Sequence, residues 1–257
     1  MATWYDHPQY FEMVFRDETA IEVEFFEAAF EHYAGRKIRR VFEPGCGGGR
    51  LVVAMSAAGY DATGLDLSPA MVRYANRQLK RRDLPGCVIE GDMTDFSAKP
   101  KYDAVFCTFN TFRHLMEEKQ VEQHFRCVAD SLNKGGLYIL GFHLIPPDAE
   151  EAEIERYRAK HGGTQVSVTL RVTQFDRKTR REDIKINVKA TKRSGKIERI
   201  VSEFPLRLYD TKQVKRMMKK IQPDFEWLAT HDFGYDLEET RDVDDDLADA
   251  LFILRKR

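Results

Sequence analysis

Residues 41–50, Val-Phe-Glu-Pro-Gly-Cys-Gly-Gly-Gly-Arg, decide how the rest of the chain is interpreted. They overlap a short apolar run at 38–42 that predicts a buried strand, and they precede a helical pattern over 51–58. The glycines at 45, 47, 48 and 49 leave no β-carbons where a tight strand-to-helix turn lets a ligand touch the backbone. The free N–H groups at the start of the helix favour an anionic or carboxylate-bearing ligand.

Two common ligand classes fit this turn poorly. A P-loop needs Gly-Lys-Ser/Thr at the helix start, whereas Gly49 is followed here by Arg50 and Leu51. A dinucleotide fingerprint needs a small residue three positions after its second glycine. Counted from Gly47 that position is Arg50, which is too large for close packing of helix on strand.

What remains is the pattern Glu-x-Gly-x-Gly-x-Gly, which resembles motif I of the class I S-adenosylmethionine-dependent methyltransferases. The resemblance implies an α/β fold with a doubly wound, seven-stranded, mostly parallel sheet of the Rossmann-like kind. It also implies S-adenosylmethionine as cofactor, held at this turn by Glu43, Gly45, Cys46, Gly47 and Gly49.

A second signal follows at the end of the next predicted strand, residues 60–66. Asp66 lies 19 residues after Gly47, where an acidic side chain can accept hydrogen bonds from both ribose hydroxyls of an adenosyl group. The alternative role is a helix N-cap, but Ser68-Pro69 already supplies the N-cap and first helical residue. The phrase Gly64-Leu-Asp-Leu-Ser-Pro-x-Met71 resembles the family's motif II, which implies that Leu67 and Met71 lie near the adenine.

A third predicted strand, 87–90, runs into Gly91-Asp-Met. The resemblance implies that Asp92 contacts the adenine amino group and that the Met93 backbone contacts a ring nitrogen; a plain turn role for Asp92 is the alternative. The fourth strand, 102–108, is apolar on both faces, as a central parallel strand must be, and Phe109 follows it. A helix at 117–132 and a fifth strand at 137–142 continue the α/β alternation.

The ends of these strands converge on one edge of the sheet. Ligands of doubly wound sheets lie beyond the carboxyl ends of the strands. The residues expected at that edge are Gly45 to Gly49, Asp66, Asp92, Phe109 and His143. This convergence is the strongest functional indication in the sequence.

The first 35 residues are rich in aromatic side chains and are predicted to form a helical lid. Thr19-x-x-Glu22 is a capping-box pattern, which predicts a helix from 19 to about 33 that Gly35 ends. The segment before this helix is one that the family often folds over its cofactor. The resemblance therefore implies a cofactor contact for Tyr10 or Arg16, and a substrate contact for Tyr5.

Residues 146–204 are predicted to be an insert in a core made of 36–145 and 205–257. After Ile145-Pro-Pro, a charged helical stretch is predicted at 149–160. Three runs that alternate apolar and polar residues then predict three antiparallel strands, joined by hairpin turns at 176–181 and 192–196. We expect one face of this unit to cover the acceptor pocket or to pack on a second copy as a homodimer, without nucleic-acid affinity.

Charge is divided unevenly over a chain whose formal net charge is −1. Residues 176–199 contain ten Lys/Arg against four Asp/Glu, and residues 236–249 contain eight acidic residues and one arginine. Charged strand faces are usually solvated, but the two patches can attract each other within a chain or between copies. The predicted last strand, 247–255, is expected by resemblance to lie antiparallel between the fifth and sixth strands.

Methyl transfer from a sulfonium needs mainly alignment of the acceptor and exclusion of water. A histidine helps when the acceptor atom begins protonated, and His114 and His143 both lie at the predicted rim. Each is a candidate for proton transfer and for substrate contact, together with Asn110, although packing is the alternative. No histidine or cysteine spacing indicates a metal site.

The acceptor is constrained by what the sequence lacks. Thr108-Phe-Asn-Thr replaces the Asn/Asp-Pro-Pro-aromatic motif of enzymes that methylate DNA amino groups or protein glutamine, and no Pro-Cys offers a cytosine-C5 nucleophile. The paired-glutamate loop of arginine methyltransferases is missing too. The insert resembles lids of small-molecule N- and O-methyltransferases, which implies a small-molecule acceptor.

Composition sets outer limits on these hypotheses. The chain has no long apolar run or signal-peptide order at its start, and its four cysteines form no CxxC pair, so we expect a reduced cytoplasmic protein without membrane contact. Two alternative functions stay open: a nicotinamide- or flavin-dependent oxidoreductase on a similar sheet, and a non-catalytic protein that only binds the cofactor.

Overall fold

The computed structural model describes residues 3–149 and 154–257. Seven strands form the central sheet. The first four begin and end close to the predicted bounds, whereas the fifth begins at Leu132 instead of the predicted 137. The seven strands are β1 (Arg40–Pro44), β2 (Asp61–Asp66), β3 (Cys87–Glu90), β4 (Tyr102–Cys107), β5 (Leu132–His143), β10 (Phe225–His231) and β11 (Asp249–Lys256).

The strand order in this sheet is β10-β11-β5-β4-β1-β2-β3. The five strands from β1 to β5 pair in parallel, whereas β11 is antiparallel to both β5 and β10. The predicted seven-stranded, mostly parallel sheet is therefore confirmed, including the antiparallel strand between the fifth and sixth strands of the core. Every residue of β4 is buried, because helices cover both faces of the sheet.

The described residues form six α-helices: α1 (Pro8–Phe15), α2 (Thr19–Tyr33), α3 (Arg50–Ala57), α4 (Pro69–Arg81), α5 (Glu118–Ser131) and α6 (Thr211–Ile221). Apolar side chains of α2, α3 and α4 pack on one face of the seven-stranded sheet, and those of α5 and α6 pack on the other. No helix among the described residues is long and apolar enough to cross a membrane.

The helix α2 has the predicted bounds, but the predicted capping box is wrong. Thr19 is the first helical residue rather than the cap, and its hydroxyl donates to the Arg16 carbonyl at 2.7 Å. Glu22 is fully buried and forms an ion pair with Arg50. The Glu22 carboxylate therefore pairs with Arg50, which is distant in sequence, and does not cap the start of its own helix.

The insert forms a separate sheet of four antiparallel strands, one more than predicted. They are β6 (Ile154–His161), β7 (Thr164–Asp176), β8 (Arg181–Thr191) and β9 (Ile197–Arg207), in that order across the sheet. The helix predicted at 149–160 is wrong over 154–160, and residues 150–153 lie outside the described residues. The eight residues of β6 pair continuously with β7, and this long-range pairing overrides a charge pattern that suits a helix equally well.

The inner face of the insert packs on the N-terminal segment, residues 3–15. Trp4 and Tyr10 are buried in one apolar cluster with Val168, Ile186 and Ile200 of the insert. The Trp4 backbone N–H donates to the Ser202 hydroxyl, and the Tyr10 hydroxyl donates to the Glu198 carboxylate. The insert therefore holds the N-terminal segment against the ligand edge of the larger sheet.

Candidate active site

A cavity of about 480 Å³ lies beyond the carboxyl ends of β1, β2 and β4. Its floor is the turn between β1 and α3, and its roof is the N-terminal segment. The lining residues are Tyr5, Phe11, Glu12, Phe15, Glu43, Gly45, Cys46, Gly47, Gly48, Arg50, Leu51, Asp66, Leu67, Ser68, Met71, Gly91, Asp92, Met93, Thr94, Thr108, Phe109, Thr111, His114, Leu115 and Gln120.

The glycine-rich turn depends on glycine for two different reasons. At Gly45 and Gly49 the backbone has φ of +71° and +74°, and an added β-carbon would lie 2.3 Å from Thr111 and 2.6 Å from Ala75. Gly47 has φ of +53°, but its nearest neighbour, Phe11, would be 3.9 Å away. Gly45 and Gly49 are therefore needed for the turn itself, while the space beside Gly47 remains open toward the cavity.

Asp66 fastens this turn to the start of α4. Its carboxylate accepts a hydrogen bond from the Gly47 N–H at 2.7 Å and another from the Ser68 N–H at 2.8 Å. Burial raises its pKa, and these two hydrogen bonds act in the opposite direction. Ser68 caps α4 as predicted, and each Asp66 oxygen has a second lone pair that a ligand hydroxyl can use.

Glu43 brings an unsatisfied carboxylate to the cavity wall. The side chain is 9% exposed, and its Oε2 has no hydrogen-bond partner among residues 3–149 and 154–257. Burial raises its pKa well above the usual range, although the nearby Arg50 opposes the shift. A buried polar atom without a partner is costly, and a ligand donor placed here would satisfy it.

Arg50 supplies the positive charge in the same wall. Its guanidinium pairs with the buried Glu22, donates to the Thr19 hydroxyl at 2.9 Å, and stacks over the Phe109 ring with 5.1 Å to the centroid. Phe109 and Asn110 both have positive φ, +56° and +65°, which is uncommon for residues with a β-carbon. Strained backbone of this kind is concentrated at ligand sites.

The opposite end of the cavity contains the residues predicted to surround an adenine. Leu67 is 71% exposed, whereas Met71 is fully buried beneath it in the cavity wall. One Asp92 oxygen accepts from both the backbone and the hydroxyl of Thr94 at 2.8 Å, as in a turn. The other oxygen of Asp92 remains available for a ligand amino group.

Tyr5 and His114 meet across the cavity, although 109 positions separate them in the chain. The Tyr5 hydroxyl lies 3.1 Å from His114 Nε2. Burial, and secondarily the charge of Arg113, lowers the pKa of His114 to about 4. Burial also raises the pKa of Tyr5, so the pair is a neutral phenol beside a neutral imidazole at physiological pH. A neutral imidazole can accept a proton.

Five of the predicted residues do not line the cavity. Tyr10 points into the cluster between the insert and the N-terminal segment, and Arg16 pairs with Glu12. Gly49 lies under the turn against Ala75. The Asn110 side chain accepts a hydrogen bond from the backbone N–H of His143. His143 itself bonds Asp249 through Nδ1 and contacts Phe233, beyond the wall formed by Phe109.

Several residues that line the cavity were not predicted from the sequence. Phe11 and Phe15 belong to the aromatic-rich N-terminus, which was the only indication of their position. No sequence pattern pointed to Glu12 as a cavity residue. Its carboxylate accepts a hydrogen bond from the Tyr74 hydroxyl and forms an ion pair with Arg16. In the sequence analysis Arg50 only argues against a P-loop and a dinucleotide site. Its ion-pair partner Glu22 is predicted there to cap a helix, which is wrong.

Comparisons with known proteins relate the chain to methyltransferases. Residues 41–136 match a family model described as a methyltransferase domain. A putative methyltransferase of Geobacillus sp. strain WCH70 is 26% identical over 119 residues, which are 46% of this chain and 48% of that protein. The chain thus spans about half the length of the curated relative that it matches.

Solved structures resemble nearly the whole chain. An S-adenosylmethionine-dependent methyltransferase from Clostridium acetobutylicum superposes with a TM-score of 0.76 at 14% identity, covering 95% of each chain. An amino pentose methyltransferase from Micromonospora echinaspora, solved with S-adenosylmethionine bound, gives 0.68 at 19% identity over 94% and 91% of the two chains. Residues 41–136 thus match a methyltransferase domain, and the chain has the fold of class I S-adenosylmethionine-dependent methyltransferases.

The residues of the cavity suit S-adenosylmethionine, the cofactor of such methyltransferases. Its ammonium group could donate a hydrogen bond to the unsatisfied Oε2 of Glu43, and its ribose hydroxyls could donate to the free lone pairs of Asp66. The open space beside Gly47 admits a ligand chain close to the backbone. The exposed Leu67 offers an apolar surface to the adenine.

Proposed function

We propose that this protein transfers a methyl group from S-adenosylmethionine to a nitrogen or oxygen atom of a small molecule. The observation that carries the proposal is the unsatisfied Glu43 carboxylate in the same enclosed cavity as the glycine-rich turn, Asp66 and Asp92. When bound, S-adenosylmethionine supplies a methyl group activated by the sulfonium.

The chain's own residues position the acceptor and exclude water. Phe11, Phe15 and Phe109, whose rings contact one another in turn, form an apolar part of the cavity wall, which favours a desolvated reaction. Tyr5 and His114 line the same cavity, and the Tyr5 carbonyl accepts a hydrogen bond from the Ser68 hydroxyl at 3.4 Å. In the proposed role the neutral His114 Nε2 accepts a hydrogen bond from the Tyr5 hydroxyl, which fixes the oxygen of that hydroxyl where it orients the acceptor atom.

An amine is the acceptor that the surroundings of the cavity favour. Phe109 stacks on Phe233 at 6.3 Å, and Phe233 contacts His143, whose imidazole bonds Asp249. The carboxylate of Asp249 attracts a cationic group to the rim, and the aromatic rings between the rim and the cavity can then bind that group as it loses water. The amino pentose methyltransferase of Micromonospora echinaspora, which acts on an amino sugar by its name, supports the same acceptor chemistry. In this role His143 guides the acceptor at the rim and does not take its proton.

Ligand-dependent unfolding separates this proposal from its alternatives. A ligand that binds only the folded chain raises its stability by an amount that grows with the logarithm of ligand concentration over Kd. We expect S-adenosylmethionine and S-adenosylhomocysteine to raise Tm, and NAD and NADP to leave it unchanged. Stabilisation by NAD or NADP alone would favour the oxidoreductase.

Turnover then separates an enzyme from a non-catalytic binder. We expect tritiated methyl transfer to members of a panel of small primary and secondary amines, with less to hydroxyl or carboxylate compounds of similar size. The matched variant His114→Gln should retain S-adenosylhomocysteine affinity and lose turnover. Full cofactor affinity without transfer to any acceptor class would favour the binding protein.

Location and further partners belong to the same proposal. All four cysteines are free thiols, which suits a reducing compartment such as the cytoplasm. Besides the small-molecule acceptor, a second copy of the chain is a candidate partner through the insert.

A further inference from the structure

The outer face of the insert, opposite the N-terminal segment, is rich in basic side chains, with Ser167, Asn187 and the exposed Val201 between them. Register places residues of all four strands side by side on this face, for example Arg158, Ser167, Lys189 and Arg199 in one row. The basic face consists of Arg156, Arg158, Lys160, Arg171, Lys185, Lys189 and Arg199, all exposed except the half-buried Lys185. Its acidic member is Glu203.

Two pairs on this face place like charges directly opposite each other. Arg171 faces Lys185 between β7 and β8, and Lys189 faces Arg199 between β8 and β9. Such pairs destabilise a sheet, and the ion pairs among residues 3–149 and 154–257 include none of the seven basic side chains. The repulsion between these like charges is not offset by ion pairs on the same face. We take this as an indication that an anionic partner binds the face.

The same chain carries a matching acidic surface. Residues 236–246, the acidic segment, lie in the connection between β10 and β11 and expose seven carboxylates: Asp236, Glu238, Glu239, Asp242, Asp244, Asp245 and Asp246. Arg241, the one basic residue of the segment, is already paired with Asp232. In the part of the chain that the structure describes, no ion pair joins this segment to the basic face.

We propose that the basic face docks the acidic segment of a second copy of the chain. The seven positive charges meet seven negative charges, and two such contacts related by a two-fold axis close a dimer. Packing two basic faces directly on each other, which the sequence left open as a homodimer through the insert, would instead bring fourteen like charges together. The contact is electrostatic and exposed, so it is weakened strongly by salt.

A charge-swap experiment tests the proposal with the full-length chain. The first variant combines Arg158→Glu and Lys189→Glu on the basic face. The second combines Glu239→Lys and Asp242→Lys, whose side chains make no hydrogen bond or ion pair within the described chain. The control combines Lys80→Glu and Arg82→Glu, which change the net charge as the first variant does but lie at the end of α4. Sedimentation equilibrium at low salt (about 0.05 M) and high salt (about 0.5 M) measures association.

The wild type and the control should self-associate at low salt, with a Kd about tenfold or more higher at high salt. Each face variant alone should remain monomeric, whereas an equimolar mixture of the two should associate, because both contacts are again complementary. Association of either face variant alone, or a mixture that stays monomeric, would overturn the proposal. So would a wild type that stays monomeric at low salt but binds a homopolymeric RNA in a salt-dependent way, because nucleic acid would then occupy the face.

Discussion

At the scale of single residues, Gly47 and Gly59 share a left-handed backbone but differ in what lies beside them. Gly47 has φ of +53° at the cavity, and Gly59 has φ of +94° with nothing within 4 Å of an added β-carbon. Alanine at either position should cost about 1 kcal/mol of stability through the backbone alone. Only Gly47→Ala should also weaken S-adenosylhomocysteine binding, by about tenfold or more, because its methyl group occupies the space for the ligand.

Calorimetric titration of the two folded variants measures this difference. The matched Gly59→Ala variant removes backbone strain as the explanation. Equal affinities of Gly47→Ala and Gly59→Ala for S-adenosylhomocysteine would remove the glycine-rich turn from the cofactor site. The larger substitution Gly47→Val should abolish binding, because a branched side chain also restricts the turn.

Asp66 is the residue at which cofactor binding and local structure meet. Asp66→Asn keeps one acceptor oxygen but removes the charge that the Gly47 and Ser68 N–H groups bind. We expect S-adenosylhomocysteine affinity to fall by about 1.5–3 kcal/mol, the range for hydrogen bonds to a charged group. Asp61→Asn, at the exposed start of the same strand, is the control. Unchanged affinity would leave Asp66 with a purely structural role.

At the scale of elements, the insert acts on the cavity through the N-terminal segment. No described insert residue lines the cavity, but Trp4 and Tyr10 are buried against its strands. The insert therefore supports the cavity wall from behind, through the N-terminal segment and through Phe204, whose ring centroid lies 5.3 Å from that of His114. The strands hold the segment, and Tyr5, Phe11 and Phe15 of the segment close the cavity.

Trp4→Ala tests this arrangement. Loss of a buried tryptophan costs about 3–5 kcal/mol of local packing, which should detach the segment without unfolding the larger sheet. Amide exchange should accelerate in residues 4–15, and S-adenosylhomocysteine should dissociate faster. Trp227→Ala, on β10 and 39% exposed, should change neither. Slow exchange in 4–15 with weakened binding would show that Trp4 acts in another way.

At the scale of the whole molecule, buried histidines make stability depend on pH. His124 is fully buried between the Met93 carbonyl and the Tyr138 hydroxyl, and burial lowers its pKa to about 4. The unfolded chain, with a histidine pKa near 6.5, then binds more protons between pH 6.5 and 4. Stability therefore falls as pH falls through this window, by about 1.4 kcal/mol per pH unit for this group.

His124→Gln should remove that contribution, because glutamine can donate and accept similarly but does not titrate. Urea unfolding at pH 7 and pH 5 compares the two proteins. His114 adds a loss of the same sign, while the raised pKa of Glu43 acts in the opposite direction, so the difference between variant and wild type is the decisive quantity. An identical loss of stability in both proteins would contradict the assignment to His124.

The sequence by itself determined the larger sheet and the part of the cavity that follows its strands. Apolar runs fixed β1, β2 and β4, and parallel strands must end at a common edge. Gly47 follows β1, Asp66 ends β2 and Asp92 follows β3, so their convergence follows from local patterns. No pairing between distant segments was needed to predict it.

Only the tertiary structure decided which residues form the roof of the cavity, which buried charges pair, and that the insert has a fourth strand. Tyr5 meets His114, Glu22 meets Arg50, and β6 pairs with β7 across distances in sequence that local patterns do not encode. In each case the local sequence allowed more than one outcome. An aromatic side chain can pack in many places, a glutamate near a helix start can cap it or pair elsewhere, and a charged stretch suits a helix or a strand. The free energy of burial and pairing with a distant partner selected one outcome, and that partner is visible only in the folded chain.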